Sequence, residues 1–349
     1  MRATVIHGPN DVRLEQVPDP TIRRPTDAIV RVVASCVCGS DLWAYRGIQK
    51  VRQPHPVGHE FVGIVEETGS AVSTLTKGDF VISPFAVSDG TCVNCRNGVH
   101  TSCLHGAAYG FTDEHGDPVG GGQAEYVGVP QADGTLVALP EMPSDEIVPG
   151  LLTLSDVMGT GHHAAISARV GPGSTVVVVG DGAVGLCAVI AAKRLGAERI
   201  VAMSRHADRQ ALARDFGATD IVAERGAEGI AAVKDLFDGI GADAVLEAVG
   251  TKESMEQSLA TTRPGGFVGY VGVPSGGPEL PMGQMFSDNL NVAGGVASVR
   301  AYIDELLPDV LDGTIEPGRV FDRQLPLAEV AEAYAGMDER RSIKTLLRP

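Results

Sequence analysis

Apolar and polar positions along this chain fall into two textures. Up to about residue 150 the apolar residues come in short β-branched runs, Ala28–Val33, Gly63–Glu66, Asp79–Ile82 and Ala124–Val129, punctuated by glycine and proline. That spacing predicts a compact β-rich domain. From Ser174 the pattern changes. Thr175–Val179 is an apolar run suited to a buried parallel strand, and Ala183–Leu195 then carries helical periodicity and stops at Gly196. Strand-like and helix-like segments alternate from there: Arg199–Met203, Ala207–Phe216, Asp220–Val222, Gly229–Phe237, Ala242–Leu246, Lys252–Ala260 and Gly266–Val271. This alternation predicts β-α-β units on a parallel sheet. After about Gly294 come two helix-like segments, Ala301–Leu311 and Leu327–Met337, and a last apolar run, Ile343–Leu347. The chain shows no internal repeat, low-complexity tract or long charge block.

Composition narrows the function classes. A length of 349 residues fits about two domains and is ample for a hydrophobic core. The net charge of −16 disfavours nucleic acid and anionic lipid as partners, and no apolar run approaches the length of a membrane span. The start, Met1 to Pro9, reads as a strand running into a turn and not as a signal peptide. Six cysteines without an export signal point to a reducing, cytoplasmic setting, where C-x2-C spacing means metal or redox chemistry more often than a disulfide.

Gly180-Asp181-Gly182-Ala183-Val184-Gly185 lies between the apolar strand and the first helix of the second half. G-x-G-x-x-G alone is weak, and a plain glycine turn is its simpler reading. At a strand-to-helix junction inside a β-α series it predicts a dinucleotide fold, because the glycines bring backbone N–H groups to a pyrophosphate. Where the second strand ends, a site for NAD would carry Asp or Glu on the ribose. Here Ser204-Arg205 stands there, with Arg209 one turn on. A missing carboxylate and an added guanidinium fork suit the 2′-phosphate of NADP(H). The alternative is that Arg205 and Arg209 are solvated surface charges, and Glu224 after the third strand would oppose a phosphate.

The first half carries Cys38-Gly39-Ser40-Asp41 and, further on, Gly58-His59-Glu60-Phe61-Val62-Gly63 with Gly69 and Val72. This order, G-H-E-x2-G-x5-G-x2-V, resembles the signature of the zinc-containing alcohol dehydrogenases of the medium-chain dehydrogenase/reductase family, and the resemblance covers essentially the whole chain. It implies an α/β architecture: a discontinuous GroES-like β-rich catalytic domain, residues 1–150 and 294–349, and a Rossmann cofactor domain with a doubly wound parallel sheet, residues 151–293. It also implies a catalytic zinc on Cys38, His59 and Asp156, the last at a position where other members carry Cys. Glu60 would sit beside the metal, and Asp41 would accept the other ring N–H of His59. Taken singly, Cys38 could be a small core residue, His59 a satisfied imidazole and Asp156 a helix cap.

A second cluster, Asp89, Cys92, Cys95 and Cys103, resembles the family's four-cysteine structural zinc lobe with Asp in the first place. Three thiolates and a carboxylate can close a tetrahedral shell. The alternative is a metal-free lobe of reduced thiols, and a redox C-x2-C is disfavoured because no helical pattern follows it to lower a thiol pKa. Cys36 and Cys187 read as core, and His162 and His163 as pocket-shaping residues outside the ligand set. The resemblance further assigns Thr160, Val271, Gly272, Val273 and Lys344 to cofactor binding, beside Gly180 to Gly185, Ser204, Arg205 and Arg209.

What the resemblance implies is hydride transfer between NADP(H) and an alcohol, aldehyde or ketone, in a homodimer or homotetramer. Ser40 would take the alcohol proton, while Trp43 stands where several relatives end the relay with His. Trp43, Phe85 and Tyr109 read as pocket walls favouring an apolar substrate, or equally as core. Two alternatives stand beside this: a polyol, threonine or formaldehyde dehydrogenase of the same family, and a non-catalytic NADPH-binding protein of the kind zinc-free members supply.

Overall fold

The computed structural model describes residues 1–274 and 279–349. The chain divides into two units, Met1–Asp156 with Ser298–Pro349, and Val157–Ala297. The divisions fall a few residues after 150 and 293. Residues 151–156 stay with the first unit because the helix Val148–Thr153 packs there: a Cβ on Gly318 would come within 2.6 Å of the Gly150 nitrogen. Residues 294–297 follow directly from the last strand of the second unit's sheet.

In the first unit the main sheet runs Val137–Ala138, Phe80–Ser83, Phe61–Thr68, Ala28–Cys36, Lys344–Arg348 and Phe321–Pro326, with Tyr126–Val129 also paired to Ala28–Cys36. Strands from the beginning and the end of the chain therefore share one sheet. Leu346 pairs with Cys36 and Leu347 with Ser35 in antiparallel register. The burial of Val30, Val32, Phe61, Val65, Val81 and Val127 makes one core, and that of Ile6, Leu42, Tyr45, Val330, Tyr334 and Leu347 makes a second. A smaller sheet joins Asp11–Gln16, Arg2–Gly8 and His55–Pro56.

The second unit is a six-stranded parallel sheet. From edge to edge its strands are Asp220–Val222, Arg199–Met203, Thr175–Val179, Ala242–Glu247, Thr262–Tyr270 and Asn291–Gly294. In order of occurrence that is 3-2-1-4-5-6, the doubly wound Rossmann order, with the direction of winding reversing between the first and fourth strands. Val177, Val201, Val245 and Val268 are fully buried, as expected of strands covered on both faces. The helix Ala207–Phe216 and the strand Asp220–Val222 have the bounds their periodicity predicts.

Close packing in this unit depends on glycine. The helix Val157–Ser167 lies so near the helix Ala183–Arg194 that a Cβ on Gly161 would come within 2.5 Å of the Ala188 nitrogen. The same helix lies on the sheet at Gly269, whose Cβ would be 2.0 Å from the Ala164 carbonyl oxygen. Because both obstacles are backbone, neither can swing aside. Gly161→Ala should therefore destabilise the protein by about 1–3 kcal/mol, read as a lower urea midpoint. Gly171→Ala, where a Cβ meets nothing within 4 Å, is the control and should change stability by no more than about 0.5 kcal/mol.

Candidate active site and metal centres

Cys38 follows the long strand Ala28–Cys36, and its N–H donates to Asp41 Oδ2 at 3.0 Å. His59 and Glu60 lie immediately before the strand Phe61–Thr68. Gly58 ahead of them has φ +96°, and a Cβ there would fall 2.5 Å from Gln123 Cγ, so the G of the G-H-E triplet is required by geometry. Asp156 is the last residue of the first unit, and the Phe85 N–H fixes its approach by donating to the Ser155 carbonyl at 3.0 Å.

These segments bring Cys38, His59, Glu60 and Asp156 together, one ligand atom of each within 4.8 Å of the others. Cys38 Sγ and His59 Nε2 each lie 3.6 Å from Asp156 Oδ2. A tetrahedral zinc with ordinary bond lengths has ligand-to-ligand edges of about 3.3–3.8 Å. Glu60 is fully buried, and its Oε2 has no hydrogen-bond partner among the described residues. The donor set, its spacing and this idle oxygen all fit a bound zinc, which Cys38, His59 and Asp156 would hold, with Glu60 beside it.

The charges explain why a cation is wanted. Burial, Glu60 and Asp156 all push the Cys38 thiol above its ordinary pKa. Burial opposes protonation of His59, yet the charges of Cys38 and Asp41 and a hydrogen bond to Asp156 hold its pKa well above the usual imidazole value. Without metal, then, the Cys38–His59 pair holds on to a proton that zinc would have to displace. Lys344 supplies the neighbouring positive charge: at 1% exposure it donates to Glu60 Oε1 at 2.7 Å and to the Val37 carbonyl at 3.2 Å. The strand Lys344–Arg348 lies inside the main sheet, with Lys344 as its first residue.

Asp41 lies beside His59, with 3.5 Å between Oδ1 and Nδ1, longer than a good hydrogen bond. Its other oxygen accepts the Cys38 N–H and the Gln123 side-chain amide, the latter at 3.1 Å. Gln123 is fully buried, also donates to the Cys36 carbonyl at 3.0 Å, and accepts from the Tyr334 hydroxyl at 3.1 Å. Neither Gln123 nor Tyr334 was expected at the site. The triplet Gly120-Gly121-Gly122 ahead of Gln123 was the available signal, since a Cβ on Gly121 would be 2.2 Å from the Val57 carbonyl oxygen. Ser40 is half-buried where the short helix Asp41–Tyr45 begins and makes no cap bond. Phe85 packs edge-on to the His59 ring at 6.2 Å. Tyr109 is core: it is 4% exposed, T-shaped against Phe61, and bonded to the Ser83 hydroxyl at 2.7 Å.

Asp89, Cys92, Cys95 and Cys103 form the second group able to hold a metal. Cys92 Sγ is 3.5 Å from Cys95 Sγ and 3.9 Å from Cys103 Sγ, close to the roughly 3.8 Å edge of a zinc tetrathiolate. Burial works against ionising Asp89, but the N–H groups of Cys92 and Thr91 hold its carboxyl at about 2. A four-residue helix, Val93–Arg96, does follow Cys92, which caps it and accepts the Cys95 N–H. Backbone N–H groups of Leu104 and Cys95 bring the Cys92 thiol down to about 7. The expectation that no helix follows is therefore corrected, because one turn is too short to show periodicity.

In the second unit, Gly180 has φ +117° and Gly185 approaches it so closely that a Cβ would be 2.0 Å from the Gly180 carbonyl oxygen. Gly182 caps the helix Ala183–Arg194 and faces open space, which leaves the helix N-terminus near Val184 accessible to an anion. The Ser204 hydroxyl donates to Asp181 Oδ2 at 2.8 Å, and Arg209 reaches the Asp181 carbonyl at 3.2 Å and its carboxylate at 3.4 Å. Arg209 thus neutralises Asp181, while Arg205 and Glu224 are exposed. Thr160 is 8% exposed on the helix Val157–Ser167. Val271, Gly272 and Val273 leave the end of the fifth strand, and Gly272 is pressed against Gly250, a Cβ there lying 2.1 Å from the Gly250 nitrogen.

Comparison with known proteins agrees with this geometry. The alcohol dehydrogenase GroES-like domain matches residues 24–144, and the zinc-binding dehydrogenase domain matches residues 183–311. Zinc-type alcohol dehydrogenase B of Aspergillus flavus is 35% identical over 96% of this chain and 78% of its own length. An alcohol dehydrogenase of Cupriavidus necator is 32% identical over 100% and 99%. The solved alcohol dehydrogenase TADH from Thermus sp. ATN1 is 34% identical, covers 100% of this chain and 99% of its own, and superposes with a TM-score of 0.91. The fold and site define a zinc-type dehydrogenase. The chain belongs to the zinc-containing alcohol dehydrogenases of the medium-chain dehydrogenase/reductase family.

Three outcomes follow from the two ligand clusters. Zinc must displace protons from Cys38 and His59, so its affinity should fall as pH falls, by roughly tenfold per unit for each proton displaced. Competition with a chromophoric chelator measures this, and a flat profile would contradict it. In metal-free protein, Cys92 should alkylate with a midpoint near 7, and Cys95→Ser should remove one zinc and lower the melting temperature while leaving the chemical step in place.

Proposed function

We propose that this chain is a zinc-dependent dehydrogenase that uses NADP(H) to interconvert an alcohol and its aldehyde or ketone. The observation that carries this reading is the convergence of Cys38, His59 and Asp156 beside Glu60, which a non-catalytic nucleotide-binding relative would have no reason to keep. Zinc held there supplies Lewis acidity toward an alcohol or carbonyl oxygen, and the nicotinamide supplies or accepts the hydride. The protein's part is positioning and proton handling. Asp41 and Gln123 hold the Cys38 backbone in place, and Phe85 limits the rotation of His59. Lys344 donates to Glu60 Oε1 and so holds that carboxyl in place. Ser40 takes the alcohol proton. Because Trp43 is not ionisable, the proton leaves from Ser40 by water and not along that helix. Phe85 beside His59 favours an apolar substrate, and a polyol or formaldehyde as substrate remains the second reading.

NADP(H) preference rests on Ser204 and Arg205. Arg209 is engaged with Asp181, so the exposed Arg205 is the cation left for a 2′-phosphate. A charge-assisted hydrogen bond contributes about 1.5–3 kcal/mol, or roughly ten- to a hundredfold in affinity. Arg205→Ala should raise the NADPH Michaelis constant by that factor and leave NADH almost unchanged. Ser204→Asp should shift preference further toward NAD(H), by repelling the phosphate and accepting from the ribose. A panel of alcohols and aldehydes with both cofactors is the assay. Wild-type use of NADH at least as well as NADPH would refute the preference, and full turnover by metal-free Cys38→Ser would refute the zinc role.

A further inference from the structure

Glu247 ends the fourth strand of the parallel sheet and is fully buried. Its Oε1 accepts from the Val249 N–H at 2.8 Å, the Gly250 N–H at 2.7 Å and the Ser254 hydroxyl at 2.7 Å. Its Oε2 has no hydrogen-bond partner, and no cation pairs with it among the described residues. That idle oxygen lies against Gly272, where an added Cβ would be 2.6 Å away. The backbone carbonyl of Glu247 also accepts the N–H groups of Val271, at 2.9 Å, and Gly272, at 3.2 Å. A buried carboxylate with no counter-charge is costly, and its cost is relieved when a cation arrives.

The sheet order locates the site that such a cation would occupy. A dinucleotide crosses the carboxyl ends of the strands at the switch between the first and fourth strands, with one mononucleotide on each half. The pyrophosphate turn at Gly180 and the 2′ position at Ser204 commit the half built on strands one to three to the adenosine side. The nicotinamide side then falls over strands four to six, where Glu247 and Gly272 stand. The oxidised nicotinamide ring carries a positive charge, and the reduced ring carries none.

We propose that Glu247 discriminates between the two redox forms of the cofactor, stabilising the oxidised, cationic nicotinamide relative to the reduced one. This rests on the reading of the second unit as a nicotinamide-dinucleotide site, and it adds a specificity-determining residue that the ligand and phosphate motifs do not contain.

The test is direct binding to the zinc-loaded protein: calorimetry for NADP+ and fluorescence for NADPH, in wild type, Glu247→Gln and Glu247→Asp. A unit charge acting across a partly polar interior should change the ratio of the two dissociation constants by about tenfold in Glu247→Gln, against the oxidised form. Glu247→Asp, which keeps the charge, should keep the ratio even where both affinities drop. Equal weakening of both forms in Glu247→Gln would mean the side chain only braces the Val249–Gly250 turn, and would overturn the proposal, as would no change in either. If Glu247→Gln does not fold, wild type decides: oxidised nicotinamide mononucleotide should bind more tightly than its reduced form, and equal affinity overturns the proposal. Failure of wild type to bind any dinucleotide would instead overturn the cofactor reading, and this inference with it.

Discussion

Four ionisable side chains are held within a few ångströms of one another in the interior of the first unit, and much of that unit's construction is what this demands. Cys38, His59, Glu60 and Asp156 would repel or lose their charge if left alone in a low-dielectric interior. The fold answers with Lys344, delivered by the last strand, and with the Asp41–Gln123–Tyr334 chain of hydrogen bonds beneath the ligands. A buried group is tolerated here because neighbours account for its polar atoms, and Glu60 Oε2 is the exception in the cluster. The site is therefore not an addition to a finished core. Tyr334, one of its supports, is also among the largest buried side chains of the core.

The second unit depends on a different constraint, the closeness of backbone to backbone. Gly161, Gly185, Gly269 and Gly272 each stand where a single added carbon would collide with main-chain atoms. The turns after the first, fourth and fifth strands lie near one another, Gly180 against Val249 and Gly272 against Gly250. Recognition of a pyrophosphate by N–H groups needs backbone that can be approached closely. The closeness also leaves room for few charged residues there, which is why Asp181, Arg209 and Glu247 are each prominent.

How much of this could be read from the chain depends on the range of the interaction. Periodicity found the first four strands of the parallel sheet nearly to the residue, because a buried strand is a pattern of near neighbours, but it began the fifth four residues late and missed the sixth, Asn291–Gly294. The zinc ligands were legible as types in order. Their supports were not: Gln123 and Asp41 are 82 positions apart, and Lys344 and Glu60 are 284 apart, so no local pattern links them. Lys344 in particular gave no local sign of its bond to Glu60. The one-turn helix after Cys92 was invisible for the opposite reason, being too short to repeat.

The placement of Lys344–Arg348 between Ala28–Cys36 and Phe321–Pro326 has a consequence for biosynthesis. Synthesis delivers the first strands of this unit, then the whole of Val157–Ala297, and only after it the strand that pairs with Ala28–Cys36. Until that strand arrives, Glu60 has no ammonium partner and the sheet has an open edge where Cys36 will later pair. The inserted unit is made of contiguous chain and can close on its own during synthesis. The catalytic unit must wait through the longest loop closure in the molecule, and its exposed edge in the meantime is a surface for mispairing. The Glu60 side of the site is thus completed by a strand made after the inserted unit, so the nascent protein can close its Rossmann unit before its ligand cluster is complete.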